Sequence, residues 1–279
     1  AGHAPTSKKG PWLVRARRAV QAITFGLFIW LLLKTEIPTN TPTGDPIRVP
    51  YPTSIFLEMD PLVGLSTTIA TGALYDGLVW GIPLLIATLL LGRFFCGWIC
   101  PVGTLNHFFS WINPFKKGGA RVAANQYTPK MRIKFYILVG MLAASVFTTT
   151  QIGLLDPICL AVRSIGLSLM PAANYVSQAA VDQLYSVNIP AVQHTADALH
   201  EARGVVLPST GFHYHHAWLI GAIFLAIMAL NRWITRFWCR MLCPLGALLG
   251  AFSRYSWVGM QKKHENCTDC NLCMVHCQA

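Results

Sequence analysis

The chain has 279 residues, 53% hydrophobic and 12% charged, with a net charge of +11. A charged share about half that of an ordinary soluble domain argues against a small soluble globule. Net positive charge can mark a nucleic-acid binder, but 18 of the 22 Lys and Arg fall in three blocks, Lys8 to Arg18, Arg93 to Lys134 and Arg232 to Lys263. Basic blocks at alternate ends of apolar runs follow the positive-inside rule instead, so a lipid bilayer is the expected partner and nucleic acid is not.

In chain order, residues 1–18 form a basic, cytoplasmic N-terminus. The first apolar run, Ala19 to Leu33, is followed by Lys-Thr-Glu-Ile-Pro rather than a small-x-small cleavage site, so it reads as an uncleaved anchor. Pro42, Pro46, Pro50 and Pro52 mark an extended outer segment, and Pro61 to Tyr75 reads as a shallow helix after an Asp60-Pro61 corner. The second run, Gly77 to Gly92, leads into Arg93 and then Cys96-x-x-x-Cys100-Pro101. After a cytoplasmic connector, 101–132, Phe135 to Leu155 carries no charge over 21 residues and ends at Asp156-Pro157. An outer insert, about 163–216, has helical stretches around Ala172 to Leu184 and Ala191 to Arg203. The fourth run, Ala217 to Asn231, leads into Arg232 and then Cys239-x-x-x-Cys243-Pro244, and residues 245–279 form a cytoplasmic ferredoxin-like segment, expected to be truncated. Three of the runs fall short of the about 20 residues that span a bilayer; snorkelling Arg and Lys and the aromatics Phe94, Phe95, Phe237 and Trp238 would extend them.

The order repeats. Arg93, Phe94, Cys96, Cys100, Pro101, Gly103 and Leu105 match Arg236, Phe237, Cys239, Cys243, Pro244, Gly246 and Leu248, 143 residues later. Met59-Asp60-Pro61-Leu62 and Leu155-Asp156-Pro157-Ile158 precede the two copies. The expected fold is therefore an all-α integral membrane protein. Four transmembrane helices form a two-fold internal repeat, with halves at 19–100 and 133–244 and both termini in the cytoplasm. Asp60 to Cys96 spans 36 residues and Asp156 to Cys239 spans 83, so the second half carries about 47 extra, on the outer side.

The strongest chemical signal is Cys267-x-x-Cys270-x-x-Cys273-x-x-x-Cys277, the bacterial ferredoxin spacing for a 4Fe–4S cluster. Zinc is the competing reading, but a zinc knuckle separates its pairs by more or brings in His. Gln278 stands where ferredoxins carry Pro. The two Cys-x-x-x-Cys pairs read as two-toothed clamps, since i and i+4 share a helix face. If the halves meet, Cys96, Cys100, Cys239 and Cys243 offer four thiolates to a second 4Fe–4S cluster, zinc or copper(I); singly, each reads as a small packing residue. Arg93, Arg236 and Arg240 would offset thiolate charge. His213, His215 and His216 are candidates for metal, haem or quinol protons, or for an interfacial belt. Asp60 and Asp156 are candidate proton acceptors, or Asx turns and helix N-caps.

Together these motifs resemble the NapH/NosR-type membrane iron–sulfur proteins over roughly Arg15 to Cys277, outside the insert. The resemblance implies a quinol dehydrogenase-type electron-transfer subunit of a hetero-oligomeric complex in the bacterial inner membrane. It would exchange electrons with the quinone pool and couple it to a periplasmic cytochrome or reductase docked on the insert, with haem only in that partner. In that family the ferredoxin segment carries two cluster motifs, and here only one is seen. Two other classes stay open, a copper-handling assembly factor and a redox-sensing membrane regulator.

Overall fold

A computed structural model of the chain describes residues 10–34, 54–112, 118–147, 151–186, 190–206 and 217–258. Every regular element among them is helical, and they fall in two compact units, one drawn from 1–28, 54–160 and 225–279 and the other from 29–53 and 161–224. The first unit takes the start of α1 (Gly10–Lys34), then α2 (Ser54–Glu58), α3 (Pro61–Thr71), α4 (Asp76–Leu91), α5 (Phe94–Trp98), α6 (Pro101–Trp111), α7 (Gly118–Ala124) and α8 (Ile133–Val146). The chain enters the second unit within α9 (Pro157–Ser164), continues through a π-helical turn at Ile165–Leu169, α10 (Met170–Tyr185) and α11 (Pro190–Val206), and leaves it within α12 (Ala217–Leu230). It ends, among the described residues, with α13 (Phe237–Met241), α14 (Pro244–Phe252) and a 3-10 turn at Ser253–Tyr255.

In the first unit α3 packs on α4, and α14 packs on α8, α4 and α3. The fully buried side chains Phe95, Val102, Leu62, Leu245 and Leu249 form its core, each worth about 1.5–3 kcal/mol of apolar burial. Local chemistry sets the helix ends. Asp60 caps α3 by accepting from the Leu62 N–H, Pro61 takes the first turn, and Gly72 closes it at φ 67°. In the second unit α10 and α11 pack on each other, and the Tyr185 hydroxyl donates to Asp197 Oδ1 at 2.6 Å. These two helices are the stretches expected around 172–184 and 191–203.

The expectation of four membrane-spanning helices is overturned. Among the described residues one helix, Val14–Leu33 within α1, is long and apolar enough to cross a membrane. The other three apolar runs fold as α4, α8 and α12, of 16, 14 and 14 residues, below the about 20 that span a hydrocarbon core. Each ends where the backbone turns out of the helix. Gly92 turns at φ 72° after α4, and Phe147 ends α8 before a 3-10 turn at Gln151–Leu154. Asn231 to Ile234 leave α12 in tight turns bonded to Met228, Ala229 and Leu230. What does repeat is smaller: an Asp-Pro corner opening a helix, and a short helix, cysteine, proline and second helix.

Candidate metal centre

The sequence of each cysteine motif dictates a break in its middle. Proline disfavours helical backbone at the residue before it, and Cys100 and Cys243 are extended, at φ −60°, ψ 122° and φ −66°, ψ 112°. Each therefore ends one short helix and caps the next, so the two thiols of a pair are not side by side on one helix as i, i+4 spacing suggested. The copies agree in detail. Ile99 and Cys100 N–H both donate to Phe95 O at 3.0 Å, and Leu242 and Cys243 N–H both donate to Trp238 O at 3.0 Å. The Gly246 N–H donates to Cys243 Sγ at 3.1 Å; here the copies differ, since the Cys100 side chain makes no cap bond. Glycine is required at 103, where a Cβ would sit 2.5 Å from Cys96 O.

All four thiols line one cavity of about 270 Å³, with Arg93, Arg236, Arg240, Pro157 and Leu245. Cys100 and Cys243 are buried, Cys96 and Cys239 half-buried, and all are free. Burial pushes the Cys96 thiol up to about 11, with the Cys239 charge adding to it and Arg236, Arg93 and Lys134 pulling back. Burial likewise raises Cys100, Cys239 and Cys243. These groups stay protonated until something positive enters the cavity and displaces their protons. A packing cysteine fills space; these four surround a void rimmed by cations. Among the described residues no group of three His, Cys, Asp or Glu is closed up around a metal position; four thiols are the donor set of a 4Fe–4S cluster and also suit zinc or copper(I).

Three asparagines absent from the motif reading build the site. Asn106 donates to Cys239 Sγ at 3.3 Å and accepts from Asn231 Nδ2 at 2.6 Å. Asn231 Oδ1 accepts from the Phe237 N–H at 2.9 Å, fixing the start of α13. Asn125 Oδ1 accepts from the Thr235 N–H and from Arg240 Nη1, at 2.9 and 2.8 Å. Held at both ends, Arg236 takes φ 57°, the one positive φ outside glycine among the described residues, at a cost of about 1–3 kcal/mol. Their signal in the sequence was polar residues beside apolar runs, which by itself names no partner.

Of the other candidates, Asp60 and Asp156 come together, fully buried and close enough for each to act on the other. His213, His215 and His216 lie outside the described residues, as do Cys267, Cys270, Cys273 and Cys277.

Comparison with known proteins agrees with the cavity. Residues 74–118 and 214–263, which hold the two Cys-x-x-x-Cys-Pro motifs, each match the family described as 4Fe-4S binding domain, and this supports an iron–sulfur cluster in the chain. The chain is 26% identical over 226 residues to the Escherichia coli (strain K12) protein YccM, named for electron transport, across 80% of this chain and 52% of that one. It is 27% identical over 277 residues to the methylamine utilization ferredoxin-type protein MauN of Methylorubrum extorquens, across 94% of this chain and 73% of that one. A protein of Methanocaldococcus jannaschii named as uncharacterized is 26% identical over 199 residues, across 70% of this chain and 63% of its own length. The chain thus spans about half the length of the Escherichia coli relative. No solved structure matches it.

Proposed function

We propose that the chain is a ferredoxin-type electron-transfer protein in which Cys96, Cys100, Cys239 and Cys243 hold a 4Fe–4S cluster. The observation that carries this reading is the convergence of the two matched cysteine pairs on one cation-rimmed cavity. The relatives named for electron transport and as ferredoxin-type support it. A bound 4Fe–4S cluster supplies one-electron transfer. The chain's own part is to present four thiols, to donate the Gly246 backbone N–H to Cys243, and to offset negative charge with Arg93, Arg236 and Arg240. Cys267, Cys270, Cys273 and Cys277 hold a second cluster in this reading, on their spacing alone.

The finer reading couples these clusters to the quinol pool and to a periplasmic redox partner, from an inner-membrane location, as the NapH/NosR resemblance implies. Support comes from the apolar span Val14–Leu33 and from exposed Trp80, Ile86, Tyr136 and Val139 on α4 and α8, apolar area that needs lipid or a partner. A further support is an apolar cavity of about 610 Å³ lined by Trp80, Phe94, Met59 and Glu58 beside α5, a size that suits a small ring ligand.

The test is anaerobic purification of the full chain, with iron, acid-labile sulfide and EPR of the reduced protein, alongside a Cys96→Ser/Cys239→Ser variant. The variant is expected to lose one cluster's share of iron and sulfide and one EPR component. Unchanged iron and an unchanged spectrum in a folded variant would remove the four-cysteine site. Failure of a menaquinol analogue to reduce the native protein would remove the quinol step alone.

A further inference from the structure

Asp60 and Asp156 stand at the two Asp-Pro corners, 96 residues apart in the chain, and neither has any accessible surface. Each commits one oxygen to the helix it caps. Asp60 Oδ1 accepts from the Leu62 N–H at 2.8 Å. Asp156 Oδ2 accepts from the Ile158 and Cys159 N–H groups at 2.8 and 2.9 Å. The remaining oxygens, Asp60 Oδ2 and Asp156 Oδ1, are buried and have no hydrogen-bond partner among the described residues. The two carboxyl groups are close enough to act directly on each other. An ionised carboxylate has no hydrogen to give, so the two can bond to each other only when a proton lies between them. Two charged carboxylates in contact and out of water would repel. N-capping explains the committed oxygens and leaves the other two buried without a donor.

The pair also adjoins the cysteine cavity. Pro157, bonded to Asp156, lines it, and the charge of Asp156 acts on Cys100. The titratable groups around the pair are few. Cys159 bonds Asp156 from α9, and Cys100, ahead of α6, lies within reach of its charge. Of the helices packed on α3, α2 carries Glu58, α4 carries Asp76, α8 carries Lys134 and Tyr136, and α14 carries none.

We propose that Asp60 and Asp156 form a one-proton site that fills and empties with the charge of the group held by Cys96, Cys100, Cys239 and Cys243. This rests on the iron–sulfur reading above. When one electron reaches the cavity from a one-electron donor such as dithionite, the pair takes one proton from solvent and passes from a shared proton to two carboxylic acids. On oxidation it returns that proton. Only an O–H bond forms or breaks, and the added negative charge is matched by one positive charge. Burial already holds the Asp60 carboxyl well above the usual range, with the Asp156 charge adding to it, so the pair is poised to accept rather than to stay ionised.

The experiment is reduced-minus-oxidised infrared difference spectroscopy of the iron-loaded full chain in H₂O and D₂O, with redox midpoints measured across pH. The expected result is a carboxylic C=O band that shifts in D₂O, together with a midpoint that falls as pH rises. Asp60→Asn and Asp156→Asn, which keep the capping oxygen, should lose the band and flatten the pH slope. A native, iron-loaded protein with no such band and a pH-independent midpoint overturns the proposal, and needs no variant to do so. A folded native protein that retains no iron or sulfide overturns the iron–sulfur reading beneath it, and the coupling with it.

Discussion

Asn106 donates its side-chain N–H to Cys239 Sγ at 3.3 Å, across 133 residues of chain. The donor lies on the helix that follows the first cysteine motif, and the acceptor is the first cysteine of the second motif. This one bond makes two copies of a sequence pattern into one site. Asn106 is fully buried, so its polar groups must be satisfied inside the protein.

Asn106→Leu should therefore destabilise the protein by roughly 1–3 kcal/mol, because Asn231 loses its 2.6 Å acceptor and buried polar groups are left unmatched. Chemical denaturation of the metal-free chain measures this. A change within about 0.5 kcal/mol, the range of an inert surface substitution, would show that the bond does not hold the halves together.

The two matched glycines should respond differently to a methyl group. At Gly103 a Cβ would lie 2.5 Å from a backbone oxygen, Cys96 O, while at Gly246 its nearest neighbour is Cys243 Sγ at 3.3 Å. Backbone cannot yield as a side chain can, so Gly103→Ala should cost about 1–3 kcal/mol. Gly246→Ala should cost clearly less, offset by alanine's better helix propensity of about 1 kcal/mol. Equal thermal shifts in the two variants would contradict this geometry.

His107, half-buried on α6, has its imidazole pushed down to about 4 by burial first and then by Arg236, Arg17 and Arg18. The unfolded chain would protonate it near its ordinary value of about 6.5. Between those values the unfolded state binds more protons, so stability rises with pH there and falls as pH drops from about 6.5 through about 4. His107→Gln should weaken that acid loss. A histidine NMR titration with a midpoint near 6.5 in the folded protein would refute it.

Thiol alkylation of the iron-depleted chain gives another check. With Cys96 held near 11, little thiolate exists at neutral pH, and thiolate is the reactive form. Labelling of the Cys96 peptide by iodoacetamide, followed by mass spectrometry, should keep rising beyond pH 10. A plateau about one unit above the ordinary thiol value of about 8.5 would mean the site is open and solvated.

Much of the helical layout was readable along the chain because its causes are local. Pro61, Pro101 and Pro244 begin helices, Asp60 caps one, and the insert's two helices fall between the prolines that break it. The lengths of the apolar runs misled. A hydropathy pattern does not register that Gly92 turns the chain or that Phe147 ends α8. The i, i+4 cysteine clamp failed for a local reason that was present in the sequence, since proline excludes helical backbone at Cys100 and Cys243.

By itself the sequence determined the residue inventory, the duplicated cysteine–proline motif, its basic setting and the places where helices must start, because each depends on neighbours within a turn or two. Only the tertiary structure decided that four thiols share one cavity, that Asp60 reaches Asp156, and that Asn106, Asn125 and Asn231 hold the second motif against the first. Those contacts join residues about 100 or more positions apart. They exist because buried polar groups must find partners wherever packing brings them, and no local pattern records which partner that will be.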